Sequence, residues 1–152
     1  MERAKAGASG RPVLLATLGM PFDQAAATFA VDSAVESGSP LIVANVTQLE
    51  PLRMSLVLGY DALEELTPEV SESVRAPAEL ARSLGVVVER LRVRSPRPVR
   101  ALLDLVRERG AGLVVFGPDR RRIKPRAYER AVRAIREGVD CLVWIAADAP
   151  GP

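Results

Sequence analysis

At 152 residues the chain has the length of one ordinary domain, long enough to bury roughly two thirds of its unfolded surface without a metal or disulfide staple. Hydrophobic residues make up 48% and charged residues 26%, a globular balance, and the longest apolar runs fall far short of the roughly 20 residues that span a bilayer. The single Cys141 excludes an internal disulfide, and the opening MERAKAGASGR lacks the apolar stretch of a signal peptide, so a cytoplasmic protein with no membrane attachment is expected. The net charge of +2 hides a division: residues 1 to 80 carry 5 Lys/Arg against 11 Asp/Glu (net −6), and residues 81 to 152 carry 16 against 8 (net +8). Such asymmetry fits an anionic partner for the basic half, and equally a self-complementary surface.

In chain order, strand and helix patterns alternate between short flexible tails at 1–10 and 148–152, which bound a domain at 11–147. Val13 to Leu18 is an apolar run closed by Gly19, and a helix over 22–37 follows with Phe22, Ala26, Phe29 and Ala30 on one face. Gly38 and Pro40 end it, and Leu41 to Val46 is the second strand. Residues 50 to 66 fit either a short helix or a flap. Thr67 caps the next helix with Pro68 in its first position, and Val70, Val74, Pro77, Ala81 and Leu84 repeat at helical spacing. Pro77 within that seam is expected to kink or split the helix.

The third strand alternates Val87, Leu91 and Val93 with Arg90, Arg92 and Arg94, and one charged face suits a sheet edge. Pro98 opens a helix whose Val99, Leu102, Leu103 and Val106 share a stripe, Gly110 ends it, and Leu113 to Phe116 is the fourth strand. Tyr128, Ala131, Val132, Ile135 and Val139 mark a last helix before a strand from Cys141 to Ala146. The order implies a doubly wound, five-stranded parallel sheet, 3-2-1-4-5, with helices on both faces, because parallel neighbours need crossover helices.

The segment LVVFGPDRRRIKPRAYER, Leu113 to Arg130, carries the functional question. A buried strand ends at Gly117, where such sheets hold ligands beyond their carboxyl ends, yet no second glycine follows until Gly138. A glycine loop lets backbone N–H groups approach a phosphate, whereas Pro118 removes one donor and Arg120 adds bulk. Arg120, Arg121, Arg122, Lys124 and Arg126 instead place five cations within seven residues, able to hold an anion through side chains. The competing reading is a solvated loop paired with Asp119 and Glu129. Arg126, Arg130 and Arg133 extend a basic stripe along the last helix, with Glu129–Arg133 and Arg133–Glu137 spaced as i,i+4 pairs.

Taken together, the five β/α units, SPRPVRALLDLVRERGAGLVVFG at Ser95 to Gly117 and CLVWI at Cys141 to Ile145 resemble the universal stress protein family over almost the whole chain. ATP-binding members are similar in having an aspartate just after the first strand and a G-x2-G-x9-G-[S/T] loop after the fourth. Here the aspartate position is Leu18, next to a retained Gly19. Gly117 is kept, the second glycine is Arg120, and the terminal pair is Arg130 and Ala131, or Glu129 and Arg130 if the register is pinned at Cys141. The resemblance thus implies a degenerate member without the family's ATP site and without a cofactor. It also implies a homodimer built through the last strand, Leu142, Val143, Trp144 and Ile145, the alternative for Trp144 being a place under the chain's own helices.

Three functions follow. The first is a non-catalytic regulatory or scaffolding domain working through an unidentified protein partner; the second is a binder of a nucleotide or other phosphorylated small molecule, with Gly19, Gly117, Arg120, Arg121, Arg122, Lys124, Arg126 and Arg130 as the site. The third, nucleic-acid binding, is disfavoured because Tyr128 is the one aromatic near the loop and sits in the apolar seam. Catalysis has little support: there is no histidine, Asp104 and Glu108 are carboxylates on a helix surface, and Cys141 has no evident activating partner.

Overall fold

The computed structural model describes residues 11–49 and 68–146, and the side chains of 68–72 are not described. The two tails, the segment at 50–66, the Thr67 cap and the side chain of Val70 therefore lie outside the described residues. The elements run β1 (Val13–Thr17), α1 (Gln24–Ser37), β2 (Leu41–Gln48), α2 (Pro68–Ser83), β3 (Val88–Ser95), α3 (Pro98–Arg109), β4 (Leu113–Phe116), α4 (Pro125–Gly138) and β5 (Leu142–Ile145). The sheet has the expected order β3-β2-β1-β4-β5, and every pairing is parallel.

Alternation along each strand divides the core between the two faces of the sheet. On one face Leu14, Ala16, Ile42, Ala44, Val46, Val114 and Phe116 meet Leu102, Leu105 and Val106 of α3 and Tyr128, Ala131 and Ile135 of α4. On the other, Val13, Leu15, Leu41, Val43 and Val115 meet Ala26, Ala30, Val31 and Ala34 of α1 and Val74, Ala78 and Ala81 of α2. Strands buried on both faces explain why β1 and β2 read as unbroken apolar runs. β3 is the exposed edge, with Arg90, Arg92 and Arg94 in solvent.

Several local boundaries differ from the sequence pattern for identifiable reasons. The first helix starts at Gln24 because Asp23 caps it, its carboxylate accepting from the Ala26 N–H at 3.0 Å, while Phe22 forms an antiparallel bridge with Pro118. β2 continues to Gln48 because β3 pairs with it up to Ser95. Pro77 does not split α2, which runs unbroken with Pro77 buried. Leu84 and Val87 are 52% and 74% exposed; Val86 and Val88 pack inward instead, because α2 stops at Ser83 and the strand begins at Val88.

Most consequential for the site is the carboxyl end of β4. A Cβ built on Gly117 would collide with the Cβ of Ala26, so glycine there lets α1 lie directly against the strand end. The Asp23 N–H donates to the Gly117 carbonyl at 2.9 Å, and the Asp119 N–H donates to the Pro21 carbonyl at 2.9 Å. Gly117→Ala should therefore cost about 1–3 kcal/mol, the usual range for overpacking. In a double-mutant cycle by urea denaturation, Ala26→Gly should recover much of that loss. Strict additivity of the two substitutions would show that the close approach is not what requires glycine at 117.

Candidate functional site

Order 3-2-1-4-5 places the reversal of winding between β1 and β4, where open sheets of this kind receive ligands. The loops leaving these strands are stitched together here. Met20 and Pro21 lead into the Phe22–Pro118 bridge, and the Thr17 hydroxyl donates to the Met20 carbonyl at 2.9 Å. Gly19 takes a left-handed φ of 82°, which glycine adopts at least cost, and its N–H donates to Asn45 Oδ1 at 2.7 Å. A Cβ at Gly19 would stand 3.3 Å from Thr47 Cγ2. The two retained glycines thus have structural work: Gly19 turns the chain and Gly117 admits α1.

The basic loop is drawn onto a single buried carboxylate. Asp119 is 8% exposed; Arg121 approaches it with Nε at 3.1 Å and Nη2 at 3.0 Å, Arg122 Nε lies 3.7 Å away, and the Arg121 backbone N–H donates to it at 3.1 Å. Side-chain hydrogen bonding from Arg121 outweighs desolvation and holds the Asp119 carboxyl below its usual range. Arg120 takes another direction, its guanidinium 4.0 Å from the centre of the Tyr128 ring. Tyr128 is buried and stacks on Phe116, so it belongs to the core, as its place in the seam implies.

The remaining candidates are spread out. Lys124 precedes Pro125 at the start of α4 and gives it no side-chain cap; Lys124, Arg126 and Arg130 are exposed. Asp119 fills the pairing role expected of it, but among the described residues Glu129 forms no ion pair with the loop. The expected Glu129–Arg133 and Arg133–Glu137 pairs are likewise not formed among the described residues, since exposed long side chains gain little from such contacts. The eight residues proposed as one anion site therefore divide into a turn, a packing glycine, a stacked arginine, two arginines on Asp119 and three solvent-facing cations.

Sequence reasoning missed a cavity of about 640 Å³ on the face that carries α3 and α4. Leu18, Met20 and Val46 from the strand ends, Val99 from α3, and Ile123 and Ala131 line it, with Arg130, Arg133 and Glu137 also on its wall. The signal was present in pieces, because Leu18 closes the first apolar run and Ala131 lies in the apolar seam of the last helix. They meet only in three dimensions.

At the far edge, Leu142 is 72% exposed and Val143, Trp144 and Ile145 are half-buried. Trp144 stacks on Phe29 of the chain's own α1, ring centres 4.3 Å apart and planes within 12°. Cys141 is half-buried, and desolvation pushes its thiol above the ordinary value. Asp104 pairs with Arg100 at 3.8 Å and Arg107 at 3.4 Å on the surface of α3. No helix among the described residues is long and apolar enough to cross a membrane.

The model of the Universal stress protein family matches residues 10–145. Among solved structures, the chain is similar to UspA from Lactobacillus plantarum (TM-score 0.65, 14% identity, 91% of this chain and 100% of that one). A universal stress protein in complex with cAMP follows the same fold (TM-score 0.59, 18% identity, 91% and 98%). So does the Archaeoglobus fulgidus protein in complex with dAMP (TM-score 0.56, 19% identity, 89% and 96%). No curated protein sequence matches the chain.

The Asp119 cluster has a pH signature. Because its folded pKa is depressed, its stabilisation is complete above the ordinary value of 3.8 and is lost as pH falls below that value. Asp119→Asn should lower stability by about 1–3 kcal/mol at neutral pH, since the nearly buried carboxylate that Arg121 and Arg122 contact loses its charge. The gap from the wild type, read from urea midpoints between pH 7 and pH 3, should stay level and then narrow below 3.8. A gap independent of pH would show that the carboxylate's charge contributes nothing.

Proposed function

The chain belongs to the universal stress protein family, and from that premise we propose that it is a non-catalytic regulatory or scaffolding domain that does not bind ATP in the family manner. It acts in the cytoplasm as a homodimer and meets its targets through protein contacts. The observation that carries the reading is the closure of the winding reversal. Ala26 packs directly against Gly117, whose own N–H is bonded to the Ala16 carbonyl, and the Asp23 and Asp119 N–H groups are spent on carbonyls. An anion cradle needs such donors free and near one another.

The side chains support the same reading. Arg121 and Arg122 answer the charge of Asp119, and Arg120 lies on Tyr128, so recruiting any of them to a phosphate forfeits an internal contact. Leu18, in the aspartate position of the family motif, has no group to bond a nucleoside. The raised thiol pKa of Cys141 and the absence of histidine from the sequence favour a role without catalysis.

A second reading, a nucleotide or other phosphorylated anion held in a changed pose, draws on Lys124, Arg126 and Arg130, which form no ion pair among the described residues. The cAMP and dAMP complexes of two relatives keep a mononucleotide within that reading. Calorimetry decides between them. Titration with Mg-ATP and with cAMP should give no saturable heat at micromolar concentrations; a micromolar ATP isotherm would overturn the first reading, and a cAMP isotherm lost in Arg126→Ser/Arg130→Ser would establish the second.

Homodimerisation through β5 rests on its position at the sheet edge and on the exposed Leu142. The Leu142 N–H points inward to the Gly112 carbonyl, so alternation turns the Val143 N–H toward the open edge. Light scattering should find a dimer that becomes a monomer in Val143→Pro and in Leu142→Arg, with far-UV circular dichroism retained. A wild type that stays monomeric at high micromolar concentration would sink the dimer.

A further inference from the structure

We propose that the cavity between α3 and α4 is a binding site for a monocarboxylate with an apolar body, such as a medium-chain or aryl-alkyl acid. The proposal rests on the reading that no phosphate cradle survives, and goes beyond it by assigning a ligand class to the space left over. Its volume of about 640 Å³ falls within the range of small-molecule sites. The wall is chemically one-sided. Leu18, Met20, Val46, Val99, Ile123 and Ala131 offer methyl and methylene groups, so a ligand's body gains from leaving water there and finds few groups with which to bond.

The polar part of the wall specifies the charge. Arg130 and Arg133 stand one helical turn apart on α4, both reach the cavity, and neither forms an ion pair among the described residues. This sets them apart from Arg121 and Arg122, which Asp119 already holds. Glu137 and the neutral Gln48 lie on the same wall, so its charged side chains together leave one net positive charge. A single carboxylate balances it and accepts from a guanidinium fork in bidentate fashion. A phosphate dianion would overcompensate and face Glu137. A sugar would leave most of its hydroxyls against methyl groups, because Gln48 and the charged side chains are too few to replace water for all of them.

Decanoate is the probe. In a methyl NMR titration of the full chain, the signals of Leu18, Val46, Val99 and Ile123 should move saturably, whereas those of Val31 and Val74, on the opposite face, should not. Decanol, with the same tail and no charge, should bind at least tenfold more weakly. Arg130→Gln/Arg133→Gln, at exposed positions, should weaken decanoate at least tenfold and leave decanol unchanged. Ala134→Leu, which fills the cavity from α4, should weaken both probes, with its melting temperature measured alongside. No saturable shift with decanoate up to 1 mM, on the order of weak ligand affinities, overturns the proposal. So does equal binding of decanoate and decanol, or indifference to the double arginine change. Mg-ATP in a parallel titration separates the two claims: silence from both ATP and decanoate defeats only this inference, and ATP binding defeats the reading beneath it.

Discussion

The close contact between Gly117 and Ala26 is the constraint on which the rest of this carboxyl end depends. A doubly wound sheet opens a crevice where its winding reverses, because the loops on either side depart toward opposite faces. Here a helix seated on the strand end brings those loops together, and three backbone interactions hold them: Asp23 to Gly117, Asp119 to Pro21, and the Phe22–Pro118 bridge. Small residues on both sides make this possible, since any side chain at 117 would lever α1 away from Leu15 and Val115. The crevice is filled by the chain itself on the face of α1. Space remains on the opposite face, under α3 and α4.

Closure also decides what the arginines do. Asp119 is brought into a nearly buried position by its backbone bond to Pro21, and a buried carboxylate needs partners nearby. Arg121 and Arg122 supply them from two and three positions further along the loop, while Arg120 spreads its planar cation over Tyr128. A run of cations that looks in sequence like a surface awaiting an anion is, for three of its five members, internal bracing. Lys124 and Arg126 differ because they lie past the loop, at the start of α4, beyond reach of Asp119.

Much of the fold was legible because the chain is locally consistent. Apolar runs of strand length, glycines at the helix ends and the alternating arginines of β3 all point to one topology, and the edge position of β3 follows from its charged face alone. Gly117 shows where that legibility stops. A glycine that admits an anion and one that admits a helix are the same letter, and telling them apart requires knowing that Ala26, 91 positions earlier in the chain, stands opposite. Likewise Asp119 could be named as a partner for the arginines, but not as the buried centre of their cluster. Trp144 was open between a partner's edge and the chain's own helix, and only the placement of Phe29 gives it a stacking surface.

The cavity wall and the arginine loop beside it follow from separate interactions. Leu18 and Ala131 lie on one cavity wall, and with Val46 and Ile123 they surround it with methyl groups. An aspartate at 18 among such neighbours would bring a charge beside apolar surface, so leucine there and alanine at 131 are mutually consistent. Arg120 belongs to a separate adjustment outside that cavity, in which a bulky cation is accommodated because Tyr128 presents a ring face to it. At the strand end the Asp23 and Asp119 N–H groups are taken up by carbonyls, and the cavity beyond is lined mostly by methyl and methylene groups. The strand end and the cavity are thus shaped by different contacts, so a substitution at Gly117 or Ala26 acts on the first and one at Leu18 or Ala131 on the second.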